Sequence, residues 1–214
     1  MKITIMIHGY FKAEEIFNQT RRLWKDHFQH DLKNEGIYFH VYEGSEIPFY
    51  IGESVEMLQR NYDHIAEYRS GMRYWLPKHP EQLKNAECKT DNTYHKYEIT
   101  DFYPPFSKPS RSLEDIEEQE KAAEGLFNNM RVYFCTLEFD KSDYTKNERK
   151  YFRRQAEFHL QQSLHDSKGI RKNEIGWFRR GDRKPDGCVS ELVFQYAPNI
   201  SRLDEVALGG VFIE

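Results

Sequence analysis

Residues 36–54 read GIYFHVYEGSEIPFYIGES. Two runs rich in aromatic and β-branched residues, which suit strands, flank an acidic, turn-like link. Ile37, Phe39 and Val41 alternate with Tyr38, His40 and Tyr42, and Phe49 and Ile51 alternate with Tyr50 and Gly52. Successive side chains of a strand point to opposite faces, so the pattern predicts a hairpin with Tyr38 and Tyr50 on one face. Gly36 and Gly52 do not follow from that pattern. Glycine weakens a strand unless something approaches its backbone closely.

Working outward, KITIMI near the N-terminus reads as a short strand, and 12–33 reads as a helix with Phe17, Trp24, Phe28 and Leu32 at helical spacing. Ser54 is a good N-cap residue for a helix over 55–70, closing before Gly71. Its apolar stripe is Val55, Leu58, Tyr62 and Ile65. Residues 76–129 read as irregular, with LPKHP and FYPPFSKPS as breakers and the acidic run 113–124 as an exposed helix. Residues 130–139 form the clearest remaining strand. Thr145 and Glu148 make a capping box that opens a helix to about Leu164, with Gly169 beyond it. The tail holds strand-like SELVFQYAP and GGVFIE. Without internal repeats or a linker, the expectation is one α/β domain over 1–214.

The 214 residues suffice for a substantial core. No apolar run is long enough to span a bilayer, and MKITIMIHGY lacks the apolar centre of a signal peptide. Cys88, Cys135 and Cys188 lie far apart without a CxxC pair, and Cys88 with His95 has no usable metal spacing, so neither zinc nor a disulfide framework is expected. The plain reading is a cytoplasmic protein with reduced thiols and no membrane partner. The net charge of −4 gives no overall attraction to phosphate. Its distribution does permit a basic face: residues 141–184 hold thirteen Lys and Arg against six Asp and Glu, whereas 113–124 holds six acids and one Lys.

Gly36-Ile37-Tyr38, followed by Tyr50-Ile51-Gly52 with its tyrosine twelve residues after Tyr38, resembles the signature of the GIY-YIG nucleases. The resemblance continues through Arg60 and His64, four apart on the next helix, then Glu157 in RRQAEFHLQQSL and Asn173 sixteen residues later. It covers about 35–177, with an insertion at about 76–129. A lone GIY would mean little; the ordered set is far more specific. The implied fold is a small mixed or antiparallel sheet flanked by helices, with N-terminal, central and C-terminal additions. The implied activity is hydrolysis of DNA phosphodiester bonds with Mg²⁺ or Mn²⁺.

The resemblance makes Tyr38 the group that deprotonates the attacking water, with Tyr50 positioning phosphate or water. A free tyrosine ionises near pH 10, so such a role needs nearby positive charge or a polarised water. Periodicity alone would leave Arg60 and His64 on a solvated face. An arginine fork nevertheless suits the equatorial oxygens of a phosphoryl transition state. Glu157 lies in an i, i+3, i+7 series with Leu160 and Leu164, and its carboxylate needs a partner. Arg153, one turn earlier, is the plain partner; a hard divalent ion, which often takes only one or two protein carboxylates, is the functional one. Asn173 could equally hold a turn. Candidate DNA contacts are Arg153, Lys172, Arg179, Arg180 and Lys184. The self-contained length favours a site-specific restriction-type endonuclease, pairing as a homodimer on double-stranded DNA. A structure-specific repair or recombination nuclease, and an inactive scaffold that binds nucleic acid as a regulator, are the alternatives.

Overall fold

The computed structural model describes residues 2–18, 35–45, 48–70, 76–81, 102–103, 113–138, 144–168 and 191–196. The elements are β1 (Lys2–Lys12), α1 (Ala13–Asn18), β2 (Gly36–Tyr42), β3 (Pro48–Ser54), α2 (Met57–Arg69), β4 (Leu76–Pro77), β5 (Phe102–Tyr103), α3 (Leu113–Asn129), β6 (Met130–Glu138), α4 (Lys146–Lys168) and β7 (Glu191–Tyr196). Five strands form one sheet in the order β3-β2-β6-β1-β7, and β4 pairs with β5 separately. β3, β2, β6 and β1 run antiparallel to their neighbours, and β7 is parallel to β1. The chain is therefore α/β, with a mixed sheet.

The hairpin forms as its alternation predicts. Its turn is closed by the Ser45 amide donating to the Tyr42 carbonyl at 2.8 Å, and Gly44 supplies a φ of 81° that glycine adopts without strain. Tyr38 stands opposite Gly52, and His40 opposite Tyr50. Every residue of β2 is buried, because β2 lies inside the sheet between β3 and β6 and both of its faces are covered. On one side, Met57 of α2 lies against Gly36, and Phe17 of α1 meets Tyr62 of α2 and Phe127 of α3. On the other side, Arg153 of α4 reaches Glu53 of β3, whose side chain alternates with Gly52. The sheet thus separates α1, α2 and α3 from α4.

Several boundaries differ from expectation. β1 runs on to Lys12 through a bulge between Ile7 and Tyr10, where Gly9 has a φ of 91°. The helix expected over 12–33 is described as Ala13–Asn18, and its remaining positions, Trp24 included, lie outside the described residues. Ser54 ends β3 rather than capping α2: its Oγ accepts from the Glu56 amide at 3.0 Å, and the helix opens at Met57. The acidic run is part of a longer helix that is not merely solvated. Gln119, Ala122, Ala123, Leu126 and Phe127 are buried, so the acids mark only its outer face. The Thr145–Glu148 capping box forms in both directions, the Thr145 amide donating to Glu148 at 2.8 Å and the Glu148 amide to Thr145 Oγ1 at 3.3 Å. Cys135 is a buried free thiol; Cys88 and Cys188 lie outside the described residues. No helix among the described residues is long and apolar enough to cross a membrane.

Candidate active site

The buried stripe of α2 is Met57, Leu58, Asn61, His64, Ile65 and Tyr68, an i, i+1, i+4, i+7, i+8, i+11 series that faces the sheet. It shares Leu58 and Ile65 with the apolar stripe that hydropathy suggests, but not the other two. Val55 is 51% exposed and Tyr62 half-buried, while polar Asn61 and His64 are the ones turned inward. A buried polar group must find a hydrogen-bond partner, and β2 presents them two residues apart. His64 Nε2 lies 2.9 Å from Tyr38 Oη and 3.5 Å from Tyr50 Oη. Asn61 donates through Nδ2 to the Met57 carbonyl at 2.7 Å, which leaves Oδ1 to accept from His40 Nε2 at 2.7 Å. His40 is therefore protonated on Nε2.

Around this pair of bonds sits an aromatic cluster. The His40 ring centroid is 5.0 Å from that of Tyr50, 5.6 Å from Tyr38, 5.8 Å from His64 and 6.1 Å from Tyr68. Tyr38 and Tyr50 are themselves near-parallel, with centroids 6.0 Å apart. The two glycines are explained by what presses on them. A Cβ on Gly52 would lie 2.6 Å from both Cζ and Oη of Tyr38, so the phenol of Tyr38 lies across the bare backbone of the facing strand. A Cβ on Gly36 would collide with the Cys135 carbonyl and with the Met57 side chain. It is protein, not substrate, that comes close to them.

Burial raises the Tyr38 pKa well above the usual tyrosine value, and Tyr50 adds to the effect, while Arg60 pulls the other way. The phenol is thus held neutral, with His64 Nε2 in hydrogen-bond contact with its hydroxyl. Arg60 is only half-buried. Burial works against its charge, but Tyr38, Tyr50 and Glu67 outweigh that and hold it above its ordinary value. It is the cation that the tyrosine pair sees. Glu67 completes the group, its Oε2 3.7 Å from His64 Nδ1.

Tyr38, Tyr50, Arg60 and His64 are brought together by two strands and one helix. Glu157 is not part of that group as placed: it is half-buried on α4, the helix on the other side of the sheet. Its expected neighbour Arg153 is committed elsewhere. Arg153 is 1% exposed, binds Glu35 through Nη1, and binds Glu53 through Nε at 3.0 Å. Arg149 joins Glu35 at 2.7 Å, and Arg154 approaches Glu53 at 3.7 Å. A guanidinium enclosed by two carboxylates cannot also serve as a surface contact to phosphate, so the DNA-contacting role expected of Arg153 is replaced by a structural one. Lys172, Asn173, Arg179, Arg180 and Lys184 lie outside the described residues. Among the described residues no cluster of three or more His, Cys, Asp or Glu side chains could hold a metal ion. Sequence reasoning passed over His40, Asn61 and Glu67. The period-two set of Tyr38 pointed to the first, and the helical set of His64 to the others.

Compared with protein-family models, with curated proteins and with solved structures, the chain matches none.

Proposed function

We propose that this chain is a metal-dependent DNA endonuclease of the GIY-YIG type, a site-specific restriction-type phosphodiester hydrolase. The observation that carries the reading is that Tyr38, Tyr50, Arg60 and His64, distant in sequence, meet in one buried polar cluster. In this reading Tyr38 takes a proton from the attacking water as His64 accepts the phenolic proton. Neither residue then carries a full negative charge in the low-dielectric interior. Tyr50, half-buried at the rim, orients the water or the phosphate. Arg60, also half-buried, binds the equatorial oxygens, on which charge builds in the transition state. A divalent cation such as Mg²⁺ or Mn²⁺ would supply Lewis acidity at the phosphate when bound; Glu157, the carboxylate that the resemblance assigns to it, stands on the α4 side of the sheet, across from the tyrosine cluster, and does not fit that position. Asn173, Lys172, Arg179, Arg180 and Lys184 are assigned to the DNA side of the site. One site per chain and two antiparallel strands to cut favour a homodimer on the duplex.

The test is incubation with long duplex DNA and Mg²⁺, followed by sequencing of the fragment ends. Discrete ends at a fixed sequence are expected, abolished by Tyr38→Phe but not by Tyr42→Phe; cleavage lost in Glu157→Gln as well would tie the α4 carboxylate to the reaction. Equal activity of the two tyrosine variants would eliminate Tyr38 as the proton acceptor.

One observation favours a second reading. Tyr38 and His64 are each 1% exposed, so the cluster is packed as a core is packed. In a nucleic-acid-binding regulator built on an inactive scaffold these residues would serve stability alone. DNA binding that weakens with salt, without cleavage under any divalent ion, would select that reading.

A further inference from the structure

We propose that Glu67 is a positioning residue that fixes His64 in the tautomer protonated on Nδ1, so that Nε2 is free to take the proton of Tyr38. The inference rests on the hydrolytic reading above only for its consequence in catalysis; the tautomer itself is a property of the resting protein.

A neutral imidazole has one N–H and one lone pair, and its neighbours decide which nitrogen carries which. His64 is 1% exposed, so protein groups rather than bulk water make that decision. On one side Nε2 faces Tyr38 Oη at 2.9 Å and Tyr50 Oη at 3.5 Å. A phenol can either donate or accept, so these contacts leave the tautomer undetermined. On the other side Nδ1 faces Glu67 Oε2 at 3.7 Å, one turn along α2. At 3.7 Å this is an electrostatic contact and not a hydrogen bond, yet the negative carboxylate favours an N–H over a lone pair on the nitrogen that faces it, so in this proposal Nδ1 carries the hydrogen. Nε2 is then a lone pair, and Tyr38, at the shorter of the two distances, donates to it.

As water attacks, its O–H bond breaks toward Tyr38 Oη while the phenolic proton moves to His64 Nε2. The water's electron pair forms the new P–O bond, and the leaving oxygen departs with the old pair and takes a proton from solvent. Tyr38 ends neutral and His64 ends as an imidazolium, its positive charge facing the Glu67 carboxylate. That proton then has a way out. Glu67 is 44% exposed and lines a groove of about 530 Å³ together with Phe17, Ala66, Arg69 and Ser70. It bridges the buried ring and water.

Burial raises the Glu67 carboxyl above its ordinary range, Asp63 adds to this, and Arg60 opposes it. Among the described residues Tyr68 also senses it, and Phe17 is what α1 contributes to the groove. Because the carboxyl picks up its proton at a higher pH than a free Glu would, tautomer control fades on the acid side. The cleavage rate of the wild type therefore carries an acid limb that belongs to Glu67.

The test is ¹⁵N NMR of histidine-labelled protein, with His64 assigned through His64→Gln, together with cleavage rates against pH. In the wild type His64 should show a protonated Nδ1 and an unprotonated Nε2, and Glu67→Ala should transfer the proton to Nε2. Glu67→Asp should keep the wild-type tautomer, showing that the carboxylate and not the packing is responsible. In cleavage, Glu67→Ala should lower kcat about tenfold with KM unchanged and lose the acid limb, a fraction of what a proton acceptor contributes. Nε2-protonated His64 in the wild type, or an unchanged tautomer in Glu67→Ala, overturns the proposal. If the tautomer moves as stated but no variant, wild type included, cleaves DNA, the hydrolytic reading fails and the assignment of Glu67 stands.

Discussion

Replacing Gly52 by alanine separates the packing described here from an ordinary strand glycine. In most strands the change is favourable by roughly 0.5–1 kcal/mol, because glycine loses more backbone freedom on folding. Gly52 does not have a positive φ, unlike Gly9 and Gly44, so its backbone accepts alanine without strain. What opposes the change is Tyr38. The new methyl would stand 2.6 Å from Cζ and Oη of that ring and 3.0 Å from Cε1 of Tyr50. Carbon contacts are comfortable at about 3.5–4.0 Å, so one side must yield by roughly 1 Å. The ring cannot swing freely: it is 1% exposed and bonded to His64. Overpacking of this kind costs about 1–3 kcal/mol. Set against the backbone gain, Gly52→Ala should destabilise by about 1–2 kcal/mol, which for a chain of this size lowers Tm by about 2–8 °C.

The assay is thermal or denaturant unfolding of four proteins: wild type, Gly52→Ala, Tyr38→Ala and the double variant. Tyr38→Ala alone is destabilising, since it empties a core position. With the ring gone, however, the added methyl keeps only its 3.0 Å approach to Cε1 of Tyr50, and Gly52→Ala should become close to neutral. The coupling between the two should be about 1–3 kcal/mol, far from additive. Additive effects, or a rise in Tm from Gly52→Ala alone, would refute the contact and with it the account of why a glycine stands opposite Tyr38.

Other perturbations test the remaining parts. Arg153→Met should destabilise by about 3–5 kcal/mol by leaving two acids without their shared cation; adding Glu35→Met and Glu53→Met should recover most of the loss in denaturant midpoint. Burial raises Tyr38 and Tyr68 well above the usual tyrosine value of 10.0, so the unfolded chain releases those protons first. Their contribution is whole below pH 10 and falls as pH rises beyond it, and Tyr38→Phe should flatten that decline in urea titrations. Arg60→Lys should lower cleavage about tenfold or more while DNA affinity stays near wild type, because lysine keeps the charge and loses the fork.

The hairpin was legible because strand alternation is a local property, and the length of α2 because helical periodicity is too. The buried side of α2 was legible only in part: hydropathy picks out Leu58 and Ile65 but scores Asn61 and His64 as solvent-facing. Those residues turn inward only because His40 and Tyr38 meet them there. The fate of Arg153 was hidden for a different reason: Glu35 and Glu53 lie 118 and 100 residues away along the chain. A nearby acid on the same helix was the natural guess, and a distant pair across the sheet was the outcome. Sheet order was illegible in the same way. Nothing local tells β6 to enter between β2 and β1.

The polar stripe of α2 joins fold to site. A helix laid on a sheet would be held more simply by apolar side chains at 61 and 64, since each buried polar group needs a partner. The partners here come from alternate residues of one strand, so they act together as a register key. If β2 slipped by one residue against α2, Tyr38 and His40 would turn to the α4 side, and Asn61 and His64 would both lose their bonds. The residues that compose the candidate site therefore also fix the hairpin against the helix. This decides how loss of activity is to be read in each variant. His64→Ala empties a buried position and removes half of the key, so its effect mixes stability with chemistry. Tyr38→Phe keeps the ring, its stacking and its contact with Gly52, and removes only the hydroxyl that His64 meets. If cleavage disappears in Tyr38→Phe while the unfolding midpoint barely moves, the hydroxyl itself is needed for the reaction.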